Sequence, residues 1–203
     1  LMIKPATLGS SIGIRNVKRK EELATTIEEV LKYDRKIIVE EQIENVLEYN
    51  ISMLKTNDRL YTSAIEEIET NLEYRNYDDK CSLENYINGN IIRTVPANIN
   101  EKMAEEIRNL SKEVTNFLNN TGLSRIDFLY DKEKKKLYID EINSIPAGFS
   151  HHLWEEANIS YKELLNIMIE DTIKNVNKDK EKITDMDMTV LKDFKNNDIK
   201  EFK

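Results

Sequence analysis

Ser124-Arg-Ile-Asp-Phe-Leu-Tyr-Asp-Lys-Glu-Lys-Lys-Lys-Leu-Tyr-Ile-Asp-Glu-Ile-Asn143 reads as two strands joined by a charged turn. Side chains alternate faces along a strand, so Arg125 and Asp127 share one face, and Glu141 and Asn143 share another. Folding the hairpin about Lys134, the middle of its most turn-like segment, sets Asp127 opposite Glu141 and Arg125 opposite Asn143. Ile126, Phe128 and Ile142 then point the other way, as a core face should, with Asp140 as the exception on that face. Two carboxylates directly opposite each other repel, and a cation between them explains such a pair. Oxygen donors from Asp, Glu and an Asn amide suit a hard ion. Magnesium commonly takes one or two carboxylates and leaves its other positions to water and nucleotide phosphates. The adjacent Arg125 would meet the resulting anionic group as a planar fork. An ordinary surface hairpin with charged outer positions shares this pattern, so the rest of the chain has to decide.

Composition narrows the choice. The chain has 203 residues, enough for one domain or a large part of a two-lobed one. A third of it is charged, 39% is hydrophobic and the net charge is −8, which argues against a nucleic-acid-binding surface. A single cysteine, Cys81, excludes an internal disulfide framework and a multi-thiolate metal site. No apolar run is long enough to span a bilayer, so no membrane partner is expected, and a cytoplasmic location is. The chain opens at Leu1 with an apolar run straight into Lys4-Pro5, which predicts a piece of a longer protein.

Read in order, residues 1–4 form a short strand ended by Pro5, and Ala6-Thr-Leu-Gly-Ser-Ser-Ile-Gly13 is a small-residue loop. Leu23, Ile27, Val30 and Leu31 predict a helix within 20–34, and Ile37-Ile-Val39 centres a strand over 36–41. Segments 47–54 and 59–68 alternate about Thr56-Asn-Asp58 and predict an antiparallel hairpin. Residues 69–92 read as a long functional loop with at most a short helix. A strand over 91–95 closes at Pro96. Met103, Ile107, Leu110, Val114 and Phe117 then mark a helix over 100–119 with Asn100 as its N-cap. After the 124–143 hairpin comes a loop with Pro146 and Gly148. A last amphipathic helix follows over 161–176, capped by Ser160, and a polar tail covers 177–203. Antiparallel pairs mixed with helices predict an α+β fold.

Three further segments carry chemistry. Lys4-Pro-Ala-Thr-Leu-Gly-Ser-Ser-Ile-Gly13 has the glycines and serines of a loop that covers a phosphate, without the Gly-Lys-Thr/Ser ending of a P-loop. Ile37-Ile-Val-Glu-Glu-Gln-Ile43, followed by Glu48, offers a strand edge for an adenine and a carboxylate for ribose hydroxyls. Tyr77-Asp-Asp-Lys80 places a lysine among acids in the long loop. His151 and His152 are adjacent, point apart in any regular structure, and so do not form a joint metal site.

Together these segments resemble the D-alanine–D-alanine ligases of the ATP-grasp superfamily. The pieces that carry the resemblance, in the family's order, begin with Ile3-Lys-Pro5, Gly9-Ser-Ser-Ile-Gly13, Val39-Glu-Glu-Gln-Ile43 and Glu48. Tyr77-Asp-Asp-Lys80, Val95-Pro-Ala97, Ser124-Arg-Ile-Asp127 and Glu141-Ile-Asn-Ser-Ile-Pro146 follow. The likeness runs from Leu1 to about Val176. It implies an ATP-grasp fold divided near residue 90 into a central and a C-terminal subdomain.

The resemblance also implies roles. Lys4 and Lys80 would hold ATP phosphates, and Ser10 and Ser11 would close over the γ-phosphate. Glu40, Glu41 and Ile43 would form the adenine-binding edge, and Glu48 would meet the ribose. Asp127, Glu141 and Asn143 would ligate two magnesium ions, with manganese a possible substitute. Arg125 would stabilise an acyl phosphate and the tetrahedral intermediate, and Arg125, Gly148, His152 and Leu153 would face substrate; the catalytic set would be Arg125, Lys80 and Ser11. The implied reaction is ATP-dependent joining of two D-alanines for peptidoglycan precursor synthesis, in a parent protein that is a homodimer.

Two positions depart from the family. Ala147 stands where the family has the glycine of Pro-Gly, and Gly148 follows one place late. His152 stands where the family has a serine that holds the acceptor's carboxylate. The family's N-terminal domain and the first part of its ATP-grasp fold are not matched, so this piece alone is expected not to ligate amino acids. An ATP-grasp ligase for another amino-acid or hydroxy-acid pair, and a non-catalytic nucleotide-binding module, are the alternatives.

Overall fold

The computed structural model describes residues 1–70 and 91–180. Every strand pairing within it is antiparallel. The first sheet has the order β2-β1-β3, built from β1 (Met2–Pro5), β2 (Arg15–Asn16) and β3 (Ile37–Glu40). Helix α1 (Leu23–Val30) covers it, and Ile3, Val17 and Val30 form its small core. The second sheet has the order β6-β5-β4-β7-β8, from β4 (Val46–Lys55), β5 (Leu60–Thr70), β6 (Ile91–Thr94), β7 (Gly122–Asp131) and β8 (Lys136–Asn143). This is the α+β arrangement the sequence predicts. The sheets divide between Glu40 and Val46, so a boundary near residue 90 would run between β5 and β6, two strands that are hydrogen-bonded to each other.

The two faces of the larger sheet have different tasks. On one face Tyr49, Ile51, Met53, Ile126 and Phe128 pack against helix α2 (Glu101–Phe117), which contributes Ala104 and Ile107. The N-cap of α2 is the expected one: the Asn100 side chain accepts the Met103 N–H at 3.0 Å. Its apolar stripe holds except at the last position: Ile107 is buried, and Met103, Leu110 and Val114 pack against the same core. Phe117 is 88% exposed, and the fully covered positions are Ala104, Ile107, Ser111 and Thr115. Ser111 and Thr115 can be buried because each hydroxyl donates to the carbonyl four residues back, at 2.7 Å.

On the opposite face, Leu54 and Leu123 pack beneath Trp154 and Leu164. These come from a short helix α3 (His151–Glu155) and from α4 (Tyr161–Lys180). The sequence predicted only a loop where α3 stands. Helix α4 begins at the expected Ser160, whose Oγ accepts the Glu163 N–H at 3.3 Å, and it extends past Val176 to Lys180 into the predicted tail. Among the described residues no helix is long and apolar enough to cross a membrane.

Candidate functional site

The β7–β8 hairpin closes on a turn organised by Asp131, whose carboxylate accepts the Glu133 and Lys134 N–H groups at 2.9 and 2.8 Å. Asp131 pairs with Lys136 and Phe128 with Ile139. The register near the turn is therefore one residue tighter than folding about Lys134 predicts. A bulge then inserts Asp140, and beyond it Asp127 stands opposite Glu141 and Arg125 opposite Asn143, the two expected pairs. The extra residue also explains Asp140 itself. Rather than lying on the core face, it lines the cleft beside Glu141.

Within this group Arg125 clamps Asp127 with both arms of its fork, Nε to Oδ1 at 2.6 Å and Nη2 to Oδ2 at 2.7 Å. The Asn143 amide donates to Asp127 Oδ2 at 3.0 Å and to Glu141 Oε1 at 3.3 Å. Burial pushes the Asp127 carboxyl upward. Arg125 opposes this, Glu141 and Asp140 add to it, and the net result lies above the ordinary carboxylate value. Burial pulls the Arg125 guanidinium down, and Asp127 and Glu141 more than restore it. The site thus carries more negative charge than Arg125 neutralises. That excess, with only oxygen donors from Asp127, Glu141 and the Asn143 amide, is the donor chemistry of a hard divalent cation. Among the described residues no group of three or more His, Cys, Asp or Glu side chains forms a ready-made metal cage. Three protein donors would leave the other positions of an octahedral ion to water and phosphate.

The two sheets meet over a cleft. Lys4, on β1, ion-pairs with Glu40 on β3 and reaches Asp140 Oδ1 on β8 at 3.3 Å, so one ammonium ties the sheets together. Burial lowers the affinity of Lys4 for its proton, but Asp140 and Glu40 outweigh it and hold the ammonium above its ordinary value. A chamber of about 360 Å³ gathers Lys4, Ser11, Glu40, Glu41, Ile43 and Glu48 beneath Leu129 and Tyr138. A second chamber of about 340 Å³ shares Lys4, Ser11 and Glu40 with it, and brings in Ser10 and Glu141. Ser10 and Ser11 both adopt left-handed backbone, φ 55° and 60°. Non-glycine residues hold that conformation at a cost of about 1–3 kcal/mol, and such strain clusters at ligand clamps.

The remaining predicted residues are placed less evenly. His152 projects from α3 toward Glu66, and Gly148 takes φ 55° in the turn before α3. Leu153 is fully buried, so its side chain cannot line a substrate site, and only its backbone is available. Lys80 lies outside the described residues.

Sequence reasoning missed Asn50, Glu66 and Arg93. Asn50 faces Asp127 across β4 and β7, and Glu66 faces Asn50 across β5 and β4. A signal was present in Ile65-Glu-Glu-Ile68: in an alternating strand, one of two consecutive glutamates has to turn toward the site face.

The family described as D-ala D-ala ligase C-terminus matches residues 1–170. The D-alanine–D-alanine ligase of Clostridium novyi is 33% identical over 183 residues, which are 88% of this chain and 51% of that protein. Among solved structures, D-alanyl-alanine synthetase A from Vibrio cholerae superposes with a TM-score of 0.69 at 25% identity, over 83% of this chain and 52% of that one. The VanG D-Ala:D-Ser ligase of Enterococcus faecalis gives 0.67 at 28% identity, over 83% and 48%. The chain spans about half the length of the curated relatives it matches.

Proposed function

Since the chain belongs to the D-alanine–D-alanine ligase C-terminal family, we propose that it supplies the nucleotide- and metal-binding half of an ATP-dependent carboxylate–amine ligase. The observation that carries this reading is the Arg125, Asp127, Glu141 and Asn143 constellation, set beside a cleft that Lys4 spans. In the proposed reaction the γ-phosphoryl group of ATP passes to the carboxylate of a first amino acid, giving an acyl phosphate and ADP. The amine of a second amino acid attacks the acyl carbon, the C–O bond to phosphate breaks, and the amine loses its proton as the amide forms.

Each residue has a part to play in that sequence. The strand edge at Glu40–Ile43 and the Glu48 carboxylate would hold adenine and ribose. Lys4 would exchange its two carboxylate partners for phosphate oxygens, and Ser10 and Ser11 would offer donors to the terminal phosphate. Asp127, Glu141 and Asn143 would hold magnesium, with the Asn143 amide turned so that its oxygen faces the ion. Bound there, magnesium would neutralise phosphate charge. Arg125 would release one arm from Asp127 to meet charge that develops on the reacting oxygens. Lys80 is assigned a second phosphate contact on the strength of the sequence motif alone.

D-alanine for both substrates is the first reading, with a cytoplasmic homodimer as the setting. A different acceptor is the second, favoured by His152 and Ala147 at positions where the family carries serine and glycine. The test is phosphate release by the full-length protein with ATP and magnesium, over single and paired D-amino acids. Release that needs D-alanine, with the dipeptide seen by mass, is the expected result. Release with another pair selects the second reading. Nucleotide binding without release from any pair overturns both and leaves a non-catalytic module.

A further inference from the structure

Helix α4 carries apolar side chains on two faces, and among the described residues only one of them is covered. Leu164, with Ile167 and Met168, packs against Leu54, Leu123 and Trp154 on the larger sheet. Ile169, Ile173 and Val176 point elsewhere, 56%, 55% and 47% exposed. They recur at steps of four and then three, so they form one outward stripe. A helix that is apolar on both sides is normally covered on both. Beside the stripe runs a groove of about 280 Å³, lined by Phe149, Leu165, Met168, Ile169, Thr172 and Ile173. Thr172 is its one polar side chain, and that hydroxyl already donates to the Met168 carbonyl at 2.8 Å. The groove offers an occupant no charge and no spare donor, so the occupant has to be apolar.

Segment 181–203 lies outside the described residues and continues directly from Lys180, where α4 stops. Its Met186, Val190 and Phe194 recur every four residues, a spacing that would put them on one side of a helix. An antiparallel return just after Lys180 brings together residues equally far from the turn. Met186 would then meet Val176, Val190 would meet Thr172, and Phe194 would meet Met168 in the groove. At a rise of about 1.5 Å per residue, Phe194 and Met168 both lie about 18 Å from that turn. A second copy is a poorer match. The six lining residues fall short of the roughly 20–30 on each side that a stable interface between proteins uses. A tethered segment is instead held at an effective concentration of order mM, so a small groove suffices. Ile173, Val176 and all of 181–203 also lie past residue 170, where the family match stops. The outer stripe and the segment thus belong to the same extension.

We infer that residues 181–203 fold back along the outer face of α4, with Phe194 seated in the groove against Phe149, Met168 and Ile169. Phe149 belongs to the turn between β8 and α3, so the docked segment also braces that turn. The docking stands whether or not the ligase reading holds.

Hydrogen exchange on the full-length protein, read by mass over peptides within 161–180, tests this. Deleting 181–203 and substituting Phe194→Asp should each quicken exchange across 165–176 about tenfold, as loss of one buried phenylalanine implies. Lys195→Ala, one place off the stripe, should leave it unchanged. A synthetic 181–203 peptide added to the deletion protein should slow exchange again, and the same peptide carrying Phe194→Asp should not. Exchange that neither the deletion nor Phe194→Asp alters overturns the proposal. Faster exchange in the deletion alone, without rescue by the peptide, is fraying of α4 and overturns it too. Protection that grows with protein concentration assigns the groove to a second copy, and likewise overturns it.

Discussion

Replacing Arg125 with alanine separates its structural role from its chemical one. Its fork holds Asp127 through two bonds of 2.6 and 2.7 Å, with 24% of the Arg125 side chain and 12% of the Asp127 side chain exposed. Removing one partner of a fully buried pair costs about 3–5 kcal/mol. Solvent reaches this pair, and Asn143 still donates to Asp127 at 3.0 Å, so about 2 kcal/mol is expected. For a chain of this size that is about 4–8 °C in Tm. In a double-mutant cycle with Asp127→Ala, urea unfolding should give a coupling energy of about 1–2 kcal/mol. Magnesium should raise the stability of Arg125→Ala more than that of the wild type, because the two carboxylates left by the substitution gain a cation that the native site partly supplies itself. In the full-length protein the same substitution should cut ligation about 10²–10³-fold while nucleotide still binds. Additivity of the two substitutions within about 0.5 kcal/mol, together with an equal magnesium effect on both proteins, would refute the electrostatic account. A near-normal ligation rate would refute the chemical one.

Gly13→Ala should destabilise the phosphate-loop end of the first sheet by about 1–3 kcal/mol. The reason is that Gly13 has φ +75° and a Cβ there would lie 2.9 Å from Pro5 Cγ; an unchanged urea midpoint would count against it. Asn100→Ala should cost about 1 kcal/mol and Asn100→Asp much less, since only the alanine abolishes the bond to the Met103 N–H; equal losses would remove the cap from the account of α2. Burial pushes the Glu66 carboxyl up, but His152, Arg93 and Asn50 outweigh it and hold it below its ordinary value of 4.5. A carboxylate lowered on folding contributes stability that is complete above the unfolded value and lost as pH falls through the folded one. Unfolding followed below pH 4.5 should therefore show a decline that Glu66→Gln flattens, and parallel curves for the two proteins would contradict the pairing.

The sequence was most legible where pattern and neighbour agreed. The β4–β5 hairpin announced itself by alternation on both sides of Thr56-Asn-Asp58, and the structure pairs Lys55 with Leu60 across that turn. Helix α2 was legible in extent, cap and most of its buried face. Met103, Ile107, Leu110 and Val114 meet the core as their spacing predicts, but Phe117 is exposed, and the buried face also takes in Ser111 and Thr115, two polar residues that satisfy their own hydroxyls within the helix. Helix α3 was hidden because its apolar signal is only Leu153 and Trp154, too short for any periodicity to register. Trp154 nevertheless decides where the loop after Pro146 lies, through an indole bond that a linear reading has no means of finding. Glu66 was hidden for a related reason: its partners come from β4, β6 and α3, and none is its neighbour in sequence.

The hairpin at the centre of the site shows how a correct pairing can arise from compensating shifts. Folding about Lys134 assumes that paired residues keep a constant sum of positions, which gives Asp127 with Glu141 and also Asp131 with Leu137 rather than Lys136. The real turn is one residue tighter, because the Asp131 carboxylate captures the Glu133 and Lys134 N–H groups and draws Lys136 opposite it. A regular ladder from that turn would have put Asp127 opposite Asp140 and left Glu141 on the core face. The bulge at Asp140 restores the register one residue before it matters. Its trace in the sequence was the one charged residue on a face otherwise apolar. A bulge that re-aims a side chain next to a site is a retained feature rather than a defect, and here it performs two tasks. It brings Glu141 beside Asp127, and it turns Asp140 toward Lys4, so that the residue that breaks the ladder is also the one that joins the two sheets across the cleft.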